Sequence, residues 1–269
     1  MNTEIKNSLT VSDRRNALCK MLTCDDPAAA LREAVDNRSM EKIVPEFCSL
    51  KMRQNPNCRH KDVLAHTIEV VAMTPSDLVV RLAAFFHDIG KPRTRRYTEG
   101  EVTFRHHEIV GSKITEKRLA ELEFDEDIIE DVTELVRLSG RFKGYDSGWS
   151  DSAVRRYARD AGHLLGSLNQ LVRADCTSRN PRKRVRLREL VDDLEHRIAL
   201  LAAADRKAAE RPQIDGNAVM AHLGVGPGPH IGRALAWLLD VQKACGELEI
   251  DDLHARLDVW WAENRAEFE

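Results

Sequence analysis

Aromatic residues are scarce: Phe, Tyr and Trp make up 5% of the 269 residues, against 42% apolar and 32% charged. A core so poor in rings has to be filled by aliphatic side chains, and the dominance of Ala, Leu, Glu and Arg favours helix over sheet. Long hydrophobic runs are missing as well. None approaches the roughly 18 apolar residues that a membrane-spanning helix needs. Residues 1–21 carry scattered charges and no apolar stretch of the kind a secretory signal requires, which points to the cytoplasm. The six cysteines, at 19, 24, 48, 58, 176 and 245, show none of the paired spacings of zinc knuckles or redox motifs. They read as free thiols in a reducing compartment. A strong overall charge is also lacking, since the net value is only −3. Cations are nevertheless clustered, over 91–105 and again over 179–188.

What is present is a succession of helical patterns. The expected fold is all-α: a central helical core over 51–180, a small helical N-terminal part over 1–50 and a helical C-terminal tail over 181–269. Ser12 or Asp13 is placed to cap a first helix running through Met21. Asp26 followed by Pro27 is a good start for a second. A further helix is expected over 40–50 and another over 61–73, with Val63, Leu64, Thr67, Ile68 and Val71 on its apolar face. Ser76-Asp77 caps the next, expected over 78–88, which Gly90 and Pro92 end. Residues 95–104 suit a small hairpin about Glu99-Gly100. Helices are expected again over 106–121, 125–139, 150–159, 161–178, 182–208, 215–223, 230–246 and 250–265.

The sharpest local signal is Phe86-His87-Asp88-Ile89-Gly90-Lys91-Pro92. An adjacent imidazole and carboxylate at the polar end of an apolar helix are costly to bury unless they hydrogen-bond or coordinate a cation. Together they suit a divalent ion (Mn, Co, Ni, Fe, Zn or Mg) better than an apolar core. His66 lies one helix upstream. Asp175 lies far downstream, on a helix carrying Leu164, Leu165, Leu168, Leu171 and Val172. Taken singly, His66 and Asp175 are ordinary helix residues; the four together make a candidate metal centre. Lys91 and Arg93 add positive charge just beyond the His-Asp pair, where a phosphate would need it.

His66, then His87-Asp88 within His-Asp-Ile-Gly-Lys-Pro, then Asp175, resembles the signature of the HD-domain metal phosphohydrolases. The stretches Arg59-His60-Lys61-Asp62-Val63, Arg105-His106-His107-Glu108-Ile109-Val110-Gly111, Asp151-Ser152-Ala153-Val154-Arg155-Arg156-Tyr157 and Arg173-Ala174-Asp175-Cys176-Thr177-Ser178-Arg179-Asn180 further resemble the HD region of bacterial CCA-adding tRNA nucleotidyltransferases. The similarity runs from about residue 12 nearly to the C-terminus and implies an HD-domain helical core. Those enzymes begin with a nucleotidyltransferase head that has a Gly-Gly strand turn and paired catalytic aspartates. Neither feature stands near the start here. The expectation is therefore the headless rear of such an enzyme, without CCA addition.

The resemblance implies a divalent metal on His66, His87, Asp88 and Asp175, with Asp88, Lys91 and His107 serving catalysis. His107 would act as acid, as phosphate donor or as the holder of a weak second ion. The family usually has histidine where Ser139 stands, and often where Lys143 stands, so a mononuclear centre is implied. Substrate-side candidates are Lys91, Arg93, His106, Arg137, Arg156 and Arg179. Adjacent helical residues point about 100° apart, so His106 and His107 cannot both face one atom.

The activity implied is metal-dependent hydrolysis of nucleotides or RNA-end phosphates, either 2′,3′-cyclic phosphates or phosphomonoesters. The alternatives are a (deoxy)nucleoside 5′-monophosphatase and a non-catalytic tRNA- or RNA-binding protein. Partners are then a phosphate-bearing nucleotide or RNA end, tRNA among them, and no membrane. The basic run of Arg179, Arg182, Lys183, Arg184, Arg186 and Arg188 has two readings: a groove wall for an RNA backbone, or a helix face balanced by Glu189, Asp192, Asp193 and Glu195. With no aromatic residue interleaved to stack on bases, the balanced face is the preferred one.

Overall fold

The computed structural model describes residues 9–53, 62–98, 101–177 and 180–268. The chain falls into two compact units, 1–198 and 199–269. As expected it is almost wholly helical, and among the described residues the only sheet is one short hairpin.

The first unit opens with α1 (Val11–Thr23), α2 (Pro27–Asp36) and the single turns α3 (Met40–Ile43) and α4 (Pro45–Cys48). The cap of α1 is Thr10, not Ser12 or Asp13. Thr10 Oγ1 accepts from the Asp13 amide at 3.1 Å, and the Asp13 carboxylate accepts from the Thr10 amide at 3.0 Å, a reciprocal capping box. Asp26 caps α2 with Pro27 behind it, as the sequence indicates. The single helix expected over 40–50 is two, because Pro45 lacks an amide proton and keeps Val44 out of the helical conformation.

Then come α5 (Val63–Met73), α6 (Leu78–Phe86) and α7 (Lys91–Thr94), followed by the antiparallel strands β1 (Arg96–Thr98) and β2 (Glu101–Thr103). The hairpin tip at Glu99-Gly100 lies outside the described residues. Asp62 and Asp77 cap α5 and α6 by accepting from the amides of Ala65 and Val80. The helix expected over 78–88 stops at Phe86, with His87 as its C-cap. Pro92 does not bar helix after Gly90; it sits in the first turn of α7, where a missing amide proton costs nothing.

The unit continues with α8 (His107–Glu121), α9 (Glu126–Leu138), α10 (Asp151–Ala161), α11 (Leu165–Asp175) and the start of α12 (Pro181–Ala209). Here α8 packs along α9, and α6 is surrounded by α1, α5, α9 and α11. Every residue of α6 from Val80 to Phe86 is buried, which fixes the position of the chain that follows it. The N-terminal helices belong to this same body, with α2 against α5 and α1 against α6.

The second unit contains α13 (Gly216–Leu223), α14 (Pro229–Cys245) and α15 (Ile250–Asn264). Val219, Ala234, Leu238, Leu253, Leu257 and Trp260 form its core, and the rings of Trp237 and Trp260 stack at 5.7 Å. These tryptophans are packing residues, as their helical spacing suggests. No helix of the described chain is long and apolar enough to cross a membrane.

Candidate metal centre

Three helix ends and one mid-helix residue meet in the first unit. His66 projects from α5, His87 and Asp88 follow the end of α6, His107 opens α8 and Asp175 ends α11. His66 Nε2 lies 2.9 Å from Asp175 Oδ1 and 3.7 Å from Asp88 Oδ2. His87 Nε2 lies 3.3 Å from Asp88 Oδ2 and 3.8 Å from Asp175 Oδ1. All four expected ligands are thus brought together. The donor atoms of His66, His87 and Asp88 fall within 4.8 Å of one another.

Two observations show that this donor set fits a cation. His87 Nε2 is buried and has no hydrogen-bond partner. Asp88 Oδ2 is near but misaligned for a hydrogen bond, and Nδ1 on the other side of the ring donates to the Ala84 carbonyl at 2.7 Å. A buried polar atom left bare is costly unless something fills the gap. The second observation is electrostatic. Burial alone would lower the His87 pKa, but the charges of Asp88 and Asp175 overcome it and hold the ring above its ordinary value. Burial likewise opposes ionisation of Asp88, yet His87, Lys91 and His66 keep its carboxyl well below the usual range. The site favours positive charge at its centre.

Asp88 is the hub. Its Oδ2 accepts from Lys91 Nζ at 2.7 Å, and its Oδ1 lies 3.6 Å from His107 Nε2. Lys91 is therefore not a free positive charge just beyond the His-Asp pair, as the sequence suggested. The chain rewinds into α7 at once, and the ammonium is buried against the carboxylate, 5.7 Å from the Phe104 ring centre. Asp175 is the opposite case, with 42% of its side chain open to solvent at the mouth of the cluster. Crowding by neighbouring atoms pushes its carboxyl up, but the His66 hydrogen bond and the His87 charge bring it below its ordinary value.

His107 is buried, and its Nδ1 donates to the Phe104 carbonyl at 2.7 Å. Burial keeps its pKa low despite the pull of Asp88. The neutral ring then turns a bare Nε2 towards Asp88, which suits a proton acceptor or a ligand better than the acid expected from the sequence. Glu108 Oε2 approaches His107 Nδ1 at 3.2 Å. Ser139 donates back to the Val136 carbonyl at 2.9 Å, capping its own helix.

The other candidates scatter. His106 is exposed, in a left-handed conformation at φ 59°, and Arg93 is exposed on α7. Arg137 is committed to Glu134 one turn earlier. Arg156 lines a separate cavity of about 170 Å³ with Trp149, Tyr157, Arg141 and Asp160. Arg179 lies outside the described residues.

The acids expected to balance the basic run do not do so. Asp192 and Glu195 both pair with Arg173, at 2.5 and 2.6 Å, and Asp193 accepts from the Tyr145 hydroxyl. Arg182, Lys183, Arg186 and Arg188 are exposed and Arg184 is half-buried, and none forms an ion pair among the described residues. Sequence reasoning missed Thr177 and gave Gly90 only the role of ending a helix. Thr177 hydrogen-bonds His66 Nδ1 at 2.9 Å. Gly90 is needed for close approach and not for an unusual backbone: at φ −80° its backbone is ordinary, but an added Cβ would lie 2.1 Å from the His107 carbonyl oxygen.

The family model described as HD domain matches residues 63–210, which include all four candidate ligands. The A-adding tRNA nucleotidyltransferase of Deinococcus radiodurans is 27% identical over 256 residues, covering 93% of this chain and 58% of that protein. The CC-adding tRNA nucleotidyltransferase of Thermus thermophilus is 30% identical over 231 residues, covering 78% of this chain and 49% of that protein. The chain thus spans about half the length of these curated relatives.

Proposed function

The chain belongs to the HD-domain family, and from that premise we propose that it is a divalent-metal-dependent phosphohydrolase acting on phosphate at an RNA end. Its bond of attack is a 2′,3′-cyclic phosphate or a phosphomonoester. The buried, unpartnered His87 Nε2 beside His66 and Asp88 carries this reading, because a bound cation would satisfy that nitrogen and draw on the other donors at once. His66, His87, Asp88 and Asp175 would hold the ion. When bound, a divalent ion there supplies Lewis acidity towards water and a phosphoryl oxygen.

The remaining work falls to side chains. Lys91 neutralises Asp88 and fixes the direction of Oδ2. Neutral His107 accepts a proton at Nε2 from the attacking water and returns it to the leaving oxygen. Asp175, open at the mouth, marks the side from which substrate enters. The unpaired basic face of α12 favours a polynucleotide over a free 5′-mononucleotide, since a single phosphate needs no such track.

The test combines metal analysis of the purified protein with hydrolysis of 2′,3′-cyclic, 2′-, 3′- and 5′-nucleotides and of short RNAs bearing the same ends. Chelator-sensitive turnover, strongest on RNA ends and lost in Asp88→Asn, is expected. RNA retention that survives Asp88→Asn, with no turnover in the wild type under any metal, would instead establish a binding protein.

A further inference from the structure

Three imidazoles line the centre, and two of them are tethered by their own segments. His87 Nδ1 donates to the carbonyl of Ala84 and His107 Nδ1 to that of Phe104, each three residues earlier and each at 2.7 Å. His66 has no such resource. It sits within α5, and the carbonyl three residues before it, on Val63, already accepts from Thr67 Oγ1 at 2.8 Å. Its partner comes from 111 positions away, where Thr177 Oγ1 meets Nδ1 at 2.9 Å.

We propose that Thr177 is a positioning residue for the metal centre: its hydroxyl holds the His66 ring so that Nε2 faces the cation position. The proposal rests on the metal-centre reading above. The local chain explains how Thr177 gets there. α11 ends at Asp175, and the Thr177 amide donates to the Asp175 carbonyl at 2.7 Å, folding the chain back at once. Asp175 and Thr177 therefore reach His66 from one turn, with Asp175 Oδ1 at Nε2 and Thr177 Oγ1 at Nδ1. The ring is gripped at both nitrogens.

The choice of a hydroxyl matters. A carbonyl can only accept, so His87 and His107 are held with the proton on Nδ1. A hydroxyl accepts or donates, so Thr177 serves His66 while Nε2–H donates to Asp175 and equally when Nε2 is bare for coordination. Valine has the shape of threonine without this capacity. A bond of this kind to the distal nitrogen of a metal-ligating histidine is worth about 10–100-fold in metal affinity.

The experiment measures Co²⁺ binding to chelator-treated, dialysed protein by calorimetry, for the wild type and for Thr177→Val, Thr177→Ala and Thr177→Ser, with a melting curve for each. Thr177→Val is expected to weaken Co²⁺ by about 10–100-fold with little change in melting temperature, Thr177→Ala to do the same, and Thr177→Ser to recover most of the loss. Should Thr177→Val fold poorly, the contrast between Thr177→Ala and Thr177→Ser gives the same reading. Wild-type affinity in the hydroxyl-free variants overturns the role of Thr177 alone. Absence of Co²⁺ binding by the wild type overturns the metal centre, and this role with it.

Discussion

The ammonium of Lys91 lies 2.7 Å from Asp88 Oδ2, and both side chains are buried. A carboxylate and an ammonium removed from water stabilise the fold only as a pair, and losing one partner strands the other at a cost of about 3–5 kcal/mol. Lys91→Ala is accordingly expected to lower the melting temperature of metal-free protein markedly. The deficit shrinks when a divalent ion is added, because the ion then compensates Asp88. Melting curves with and without chelator check this. An equal and small shift in both would show that Lys91 is not what balances Asp88.

Gly90 faces the first turn of α8 so closely that a methyl group would overlap the His107 carbonyl. Neither side is a flexible side chain, so the two segments have to separate. Gly90→Ala is expected to cost at least the 1–3 kcal/mol typical of overpacking and to move Asp88 away from His107. Gly111, on the facing helix, is the control. A Cβ there meets nothing closer than 3.4 Å, and alanine is the better helix former, so Gly111→Ala is expected to be near neutral. Chemical denaturation of the two variants separates close approach from general intolerance.

Metal binding is expected to release protons and to tighten as pH rises. His87 is held above its ordinary pKa by Asp88 and Asp175, with burial opposing them, so the metal-free ring keeps its proton to higher pH than a free histidine. A divalent ion needs that nitrogen bare. Affinity must therefore fall as pH drops through the raised value and level off above it. Calorimetry in buffers of different ionisation enthalpy reads the protons directly. A pH-independent affinity between pH 6 and 8 would argue that His87 is not a ligand.

The parts of the fold that were legible in the sequence are those governed by neighbours in the chain. Asp26 before Pro27 and Asp77 are caps that act within three residues, and the apolar spacing of α5 and α6 follows from one helix facing one core. The His87-Asp88 pair is legible for the same reason, as two polar groups placed where an apolar helix ends. What the sequence concealed depends on other segments. The rewinding of the chain into α7 turns Lys91 inward, and Thr177 meets His66 across the fold. The acids of α12 were misassigned because helical spacing proposes partners only on the same helix. Arg173 on α11 takes Asp192 and Glu195 instead.

Thiol reactivity follows burial. Cys176, beside Asp175, is buried and donates to the Val172 carbonyl; desolvation, aided by the Asp175 charge, pushes its pKa up to about 11. Cys245 is exposed. A neutral-pH disulfide reagent is expected to label Cys245 quickly and to spare Cys176 until the protein is unfolded, as peptide mapping of the labelled sites would show. Rapid modification of Cys176 in folded protein would mean that the end of α11 opens readily, which the proposed centre does not allow.

The exposed cations of α12 make a prediction about RNA that is independent of catalysis. With Asp192, Asp193 and Glu195 engaged elsewhere, the side chains of Arg182, Lys183 and Arg186 face solvent without an acidic partner. Cations in that state bind phosphates by releasing condensed counterions, which makes affinity fall with salt by a slope of about 0.7 per phosphate neutralised on a single strand. Replacing Arg182, Lys183 and Arg186 together with glutamine is therefore expected to reduce the salt slope for a short single-stranded RNA by roughly 2. Hydrolysis of a mononucleotide should stay unchanged, because none of the three is among the side chains that meet at the centre. Fluorescence anisotropy at several salt concentrations, alongside mononucleotide turnover, measures both. An unaltered slope would return the basic run to the role of a solvated helix face. A parallel loss of mononucleotide turnover would place these cations in the centre itself.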